Sequence, residues 1–151
     1  MGISDIVFRI IRWVVNALIS LAISIIILIG TLVAAYVDFG SGMGIFWAGC
    51  ILTALHQGHR IYGMRRGVKN VARTYMGSAL SLLLNIVFGY GGALFVYAYG
   101  TSARASNPLI AGLFPERAPY VFALTSAVYA TVQILLALAR SLMAYKFAQE
   151  K

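Results

Sequence analysis

Residues 13–37 read WVVNALISLAISIIILIGTLVAAYV, a run bounded by Arg12 and Asp38 and free of charged side chains. Hydrocarbon demands about 20 such residues in a helix, because lipid offers no partner to an exposed backbone amide or carbonyl. The apolar core of a cleaved leader is shorter, about 7–15 residues, so this segment is expected to be a retained signal-anchor. Outward from it, charges mark off three more stretches, at 43–62, 76–98 and 119–140. They are joined by the short turn Asp38–Gly42, a basic loop at 63–75, and a loop at 99–118 that with Pro119 holds all three prolines. The chain of 151 residues is therefore expected to be one all-α transmembrane domain, an antiparallel four-helix bundle.

The composition agrees: 61% of the residues are hydrophobic and 11% charged. Soluble domains average about 45–50% apolar and 25% charged. With so few charges the chain has no polar coat, which excludes a soluble enzyme and a disordered segment. The single cysteine, Cys50, excludes a disulfide within the chain.

Basic residues are retained on the cytoplasmic side of a membrane. With both termini cytoplasmic, that side receives Arg9, Arg12, Arg60, Arg65, Arg66, Lys69, Arg73, Arg140, Lys146 and Lys151, and the other only Arg104 and Arg117. Both termini are thus expected in the cytoplasm. The rule gives sidedness and not address, so a plasma or inner membrane and an organelle membrane fit equally well.

No span contains a carboxylate: Asp5, Asp38, Glu116 and Glu150 all fall in tails or loops. Coupled transporters rely on intramembrane ionisable groups. Small multidrug-resistance proteins, which also have four helices, depend on a glutamate in the first one, and the first helix here has none. His56 and His59, at i and i+3, share one helix face and are weak metal candidates. They offer too few ligands, since even a catalytic zinc takes about three from the protein. No metal and no cofactor are expected.

The informative residues inside the spans are small or polar. Gly77, Ser81, Asn85, Gly89 and Ala93 recur every fourth position, with Ser20, Ser24, Gly30 and Ala34 in the first span and Gly44 and Ala48 in the second. Small side chains let helices approach closely, and close packing is what drives association where lipid is as apolar as leucine. These residues are expected to make helix contacts within the bundle or with other subunits. Asn16, His56, Gln57, Asn85 and Gln133 form a second set, a polar vestibule open to the cytoplasm or a set of interhelical hydrogen bonds. Arg60, Arg65, Arg66, Lys69 and Arg73 are expected at anionic lipid headgroups, worth about 1 kcal/mol each near the surface. Nucleic acid is not expected as a partner, because no aromatic-and-basic recognition module accompanies the charge.

The expected function is non-catalytic: an accessory or structural subunit, or a self-assembling scaffold, of a larger membrane complex. Its expected partners are lipids and other membrane subunits or further copies of itself. An oligomeric channel or transporter built on the polar set is the alternative, and a membrane-embedded enzyme or metal site stands third.

Overall fold

The computed structural model describes residues 2–67 and 70–149, without the side chains of residues 3 and 66. It is helical throughout, with no strand among the described residues: α1 (Ile3–Tyr36), α2 (Phe39–Tyr62), α3 (Val71–Leu84), α4 (Gly91–Ser106), α5 (Pro108–Leu113) and α6 (Ala118–Gln149). A 3₁₀ turn, Gly63–Arg66, follows α2, and a π turn, Asn85–Tyr90, joins α3 to α4 in one rod. Four helical segments are long and apolar enough to cross a membrane: Ser4–Tyr36, Phe39–Arg65, Val71–Ser106 and Ala118–Gln149. Large apolar side chains face outward along them, as with Phe88 and Leu94, which are 71% and 73% exposed. Such a surface suits hydrocarbon and not water.

The helices run past the limits set by charge. α1 starts at Ile3 and α2 at Phe39, so the turn between them shrinks to Val37 and Asp38. Most of the stretch at 99–118 is helical, in α4 and α5, and α3 begins at Val71 inside the stretch read as loop. Charged side chains extend to the interface along a continuing helix, so charge marks the edge of the hydrocarbon and not the end of the helix. Helices end where backbone groups find other partners. Asp38 accepts from the amides of Gly40 (3.3 Å) and Ser41 (2.9 Å), and also from the Ser41 hydroxyl. Asn70 accepts from the Arg73 amide at 3.0 Å, and Asn107 from that of Leu109 at 2.9 Å.

α1 and α2 form a close hairpin. Gly42 abuts Ala34, Gly30 abuts Phe46, and Gly49 abuts Ile27, so residue numbers rise along one helix as they fall along the other. A Cβ at Gly42 or Gly30 would overlap the backbone of the opposite helix. At the turn end, Ala34 and Ala35 pack with Ala118 and Val121 of α6, flanked by Met43 and Phe122. Arg117 locks the joint: its Nε donates to the Ala35 carbonyl and its Nη2 to that of Val37, both at 3.0 Å, satisfying acceptors left open at the end of α1.

The α3–α4 rod leans on α6 alone among the long helices. Gly89 sits against Ala130, and Gly100 lies against Pro119, whose Cβ and Cγ stand 3.0 Å from where a Cβ would be. Ser126 Oγ donates to the Gly89 carbonyl at 3.1 Å, and the Tyr90 and Thr131 hydroxyls are 2.7 Å apart. Neither α1 nor α2 packs against α3 or α4. A gap results between α2 and α3, bridged by the 3₁₀ turn and by Gly67, whose φ of 133° is open to glycine and strained for other residues.

Two outcomes follow. Gly42→Ala should cost about 1–3 kcal/mol in an unfolding titration, because the obstructing atoms are backbone and cannot swing aside. Gly44→Ala, with nothing within 4 Å of its Cβ position, should be neutral or mildly stabilising. The Asp38 carboxyl is held below its ordinary value, first by the Ser41 hydroxyl, then by the amides of Ser41 and Gly40. A carboxylate with a lowered folded pKa stabilises fully above its unfolded value, about 3.9, and loses that contribution as pH falls through the folded one. Stability measured against pH should therefore drop more steeply below about pH 4 in the native chain than in Asp38→Asn.

Candidate functional site

Gln57, Gln133 and Arg140 meet toward the end of the bundle that also carries Arg60 and Arg73. Gln133 and Arg140 are seven positions apart on α6 and so share a helical face. Both reach Gln57 on α2: Arg140 Nη2 donates to Gln57 Oε1 at 3.1 Å, and Gln57 Nε2 donates to Gln133 Oε1 at 3.3 Å. Gln133 Nε2 donates onward to the Tyr129 hydroxyl at 2.8 Å. All four side chains are half-buried. Each amide uses its oxygen and its nitrogen in the chain, so the row has one direction, from the guanidinium to the phenol. The arginine is thereby anchored in the flank of the bundle.

Two cavities flank the end of α2. One, of about 550 Å³, lies in the gap between α2, α3 and α6 and is lined by Gln57, Arg60, Asn70, Arg73, Gly77 and Arg140, among others. The other, of about 1040 Å³, lies between α1 and α2 and includes Arg12, Asn16, His56, His59, Arg60 and Arg65. Arg60, Met64 and Gly67 border both. Among the described residues, no carboxylate lines either one.

The structure divides the polar set read from the sequence. Asn16 and His56 line the larger cavity together. Gln133 belongs to the row on the other side of α2. Asn85 stays within its own helix, its Nδ2 donating to the Ser81 carbonyl at 2.7 Å. His59 is exposed, whereas His56 is half-buried with its Nε2 unpartnered among the described residues. No group of three or more His, Cys, Asp or Glu side chains suited to a metal occurs among the described residues.

The small-residue set divides as well. Gly89 and the buried Ala93 face α6, Ser81 and Asn85 are half-buried, and Gly77 borders the cavity with nothing within 4 Å of its Cβ position. The reason is rotational: a step of four residues advances about 40° round a helix of 3.6 per turn. Five such positions cannot hold one face. Ser20 and Ser24 are exposed, the Ser24 hydroxyl bonding back to the Ser20 carbonyl at 2.9 Å. In the first two spans the close contacts fall at Gly30, Ala34, Gly42 and Gly49, while Gly44 and Ala48 are exposed.

Of the basic set, Arg60 and Arg73 line the smaller cavity. Arg65 lines the larger one, with Nη1 donating to the Tyr62 hydroxyl at 3.2 Å. Lys69 and the Arg66 side chain lie outside the described residues. Arg140, read from the sequence as the end of a span and one of the cytoplasmic-side charges, is a member of the site. Its seven-residue spacing from Gln133 was the signal, masked by its place at a span boundary.

No family model matches the chain, nor does any curated protein or solved structure at a significant level.

Gln57 joins two partners and Gln133 is its weaker link to α6. Interhelical hydrogen bonds in membranes average about 0.6 kcal/mol and reach about 1.7. Gln57→Leu, which also strips the Arg140 guanidinium of its amide, should therefore destabilise more than Gln133→Leu. A double-mutant cycle of the pair by denaturant titration should give a coupling near the lower of these figures.

Proposed function

We propose that the chain is a non-catalytic, multi-pass membrane protein that serves as an accessory or structural subunit by presenting α4 to helices of another membrane subunit. In this reading it is an antiparallel four-helix bundle with both termini in the cytoplasm. The basic end, with Arg60, Arg73 and Arg140, then lies at the cytoplasmic surface, as the retention of positive charge requires.

One observation carries the reading. The apolar window of the α3–α4 rod is 6% buried, against 28% for α2, and its outward side is not simply greasy. Gly91, Ala98, Ser102 and Ala105, spaced by seven, four and three, are all exposed. They form a narrow strip about 180° round α4 from Ala93 and Gly100, which face α6. A helix that meets only lipid gains nothing from such a strip, whereas small residues allow a second helix to approach closely. Gly91 has nothing within 4 Å of its Cβ position, so the approach is open.

A channel or transporter made of several copies is the second reading, favoured by the polar cavity at Asn16 and His56. That cavity reaches only as far along α1 as Ile19, and Asn85 is engaged within its own helix. Among the described residues, the polar lining of that cavity does not continue along α1 beyond Ile19.

The test is purification from the native membrane in mild detergent. The native chain should co-migrate with a second subunit, or with further copies if it is a self-assembling scaffold. Gly91→Leu should abolish co-migration at unchanged thermal stability, whereas Gly89→Leu, which clashes with Ala130, should lower stability itself. A native chain that travels as a lone monomer removes the proposal.

A further inference from the structure

The smaller cavity has the form of a receptor for one particular kind of molecule. Its polar lining comprises Arg60, Arg73 and Arg140 with Gln57 and Asn70, of which Gln57 and Arg140 are half-buried and the other three exposed. These come from two helices that do not touch, α2 and α3, and from α6 behind them. Arg140 is held in place through Gln57, at 3.1 Å, which leaves its remaining N–H donors free to serve an anion. Guanidinium forks match phosphate oxygens two at a time, and bonds assisted by charge are the stronger kind. The volume, about 550 Å³, holds a phosphate with a small polar substituent.

The cavity does not end in water on every side. Asn70, Arg73 and Gly77 also border an adjoining groove of about 580 Å³ that runs along α3 over Ala72, Met76 and Leu80. Met76 and Leu80 are exposed on the outer surface of the rod. A set of cations thus opens directly onto an apolar track along a transmembrane helix. Gly77 stands at the junction, and the lack of a side chain there keeps the passage open. Positive charge retained for topology alone has no reason to converge. Arg9 and Lys146, on the same end of the molecule, line neither cavity.

We propose that the gap between α2, α3 and α6 binds an anionic glycerophospholipid, its phosphate among Arg60, Arg73 and Arg140 and an acyl chain along Met76 and Leu80. A free phosphate or phosphorylated solute satisfies the arginines and leaves the apolar track without a role. The lipid satisfies both. It also fills the space that the missing contact between α2 and α3 leaves, so that a lipid stands where a helix interface would otherwise be.

The experiment is native mass spectrometry of the purified chain with phosphatidylglycerol, phosphatidylcholine or inorganic phosphate added, alongside melting curves in the same mixtures. One phosphatidylglycerol should remain bound under conditions that strip phosphatidylcholine. Arg73→Gln and Arg60→Gln should each weaken its apparent Kd about fivefold. Arg9→Gln and Lys146→Gln should leave it unchanged. Gly77→Leu, which blocks the passage without removing charge and has open space to enter, should reduce lipid occupancy while the melting curve without lipid is retained. Equal retention of phosphatidylcholine overturns the site. Equal losses from Arg9→Gln and Arg73→Gln overturn it in favour of diffuse surface attraction. Stabilisation by inorganic phosphate alone to the extent seen with phosphatidylglycerol overturns the lipid and leaves a phosphate solute as occupant.

Discussion

Gly42 brings its backbone against that of Ala34 so closely that a methyl group has no room, and Gly30 does the same with Phe46. Much of the molecule is set by this approach. In hydrocarbon there is no water to expel from between helices, so attraction depends on how near the backbones come. The α1–α2 hairpin is the place where they come nearest. It leaves the open carbonyls of Ala35 and Val37 at one point in space, and Arg117 binds both there, which sets where α6 starts. From that start, α6 runs beside α2 and carries Gln133 and Arg140 to Gln57.

The α3–α4 rod takes its position from α6 in turn, through Gly89 on Ala130 and Gly100 on Pro119. The π turn at Asn85–Tyr90 lies at the middle of that contact. Such turns shift the phase of a helix and recur at functional positions. Here the turn presents the Gly89 carbonyl to Ser126 and the Tyr90 hydroxyl to Thr131. Held by α6 only, the rod stands away from α2, and the basic cavity is the space between them. The polar row and the cavity are therefore two results of one arrangement: α6 touches both neighbours, and its neighbours do not touch each other.

Several features were legible before any coordinates. The four apolar stretches are visible because a membrane imposes a minimum length on each. The caps Asp38, Asn70 and Asn107 lie in stretches read as loops, and only the helix starts at Phe39, Val71 and Pro108 show what their side chains do. Helix ends read from charge were displaced because Arg9 and Arg12, on α1, and Arg104, on α4, stay within continuing helices. The small-residue contacts were half legible. That glycines would matter follows from lipid being a poor packer, but Gly42 and Gly49 were chosen over Gly44 by rotation about the axis of α2. Gly77 looks like Gly89 in sequence, and only rotation along the rod sends one to a cavity and the other to a helix.

By itself the sequence determined that this chain forms helices long enough to cross a bilayer and that its positive charge gathers between particular spans. Those properties are local, decided by apolar length and by the placing of charges along the chain. The tertiary structure decided which glycines touch, that Gln57 meets Arg140, and that Arg60, Arg73 and Arg140 surround one space. Such pairings join different helices, in the case of Arg140 and Gln57 across 83 positions of sequence. They depend on the rotation and separation of whole helices, and rotation is settled by how the smallest side chains fit across the helix boundaries.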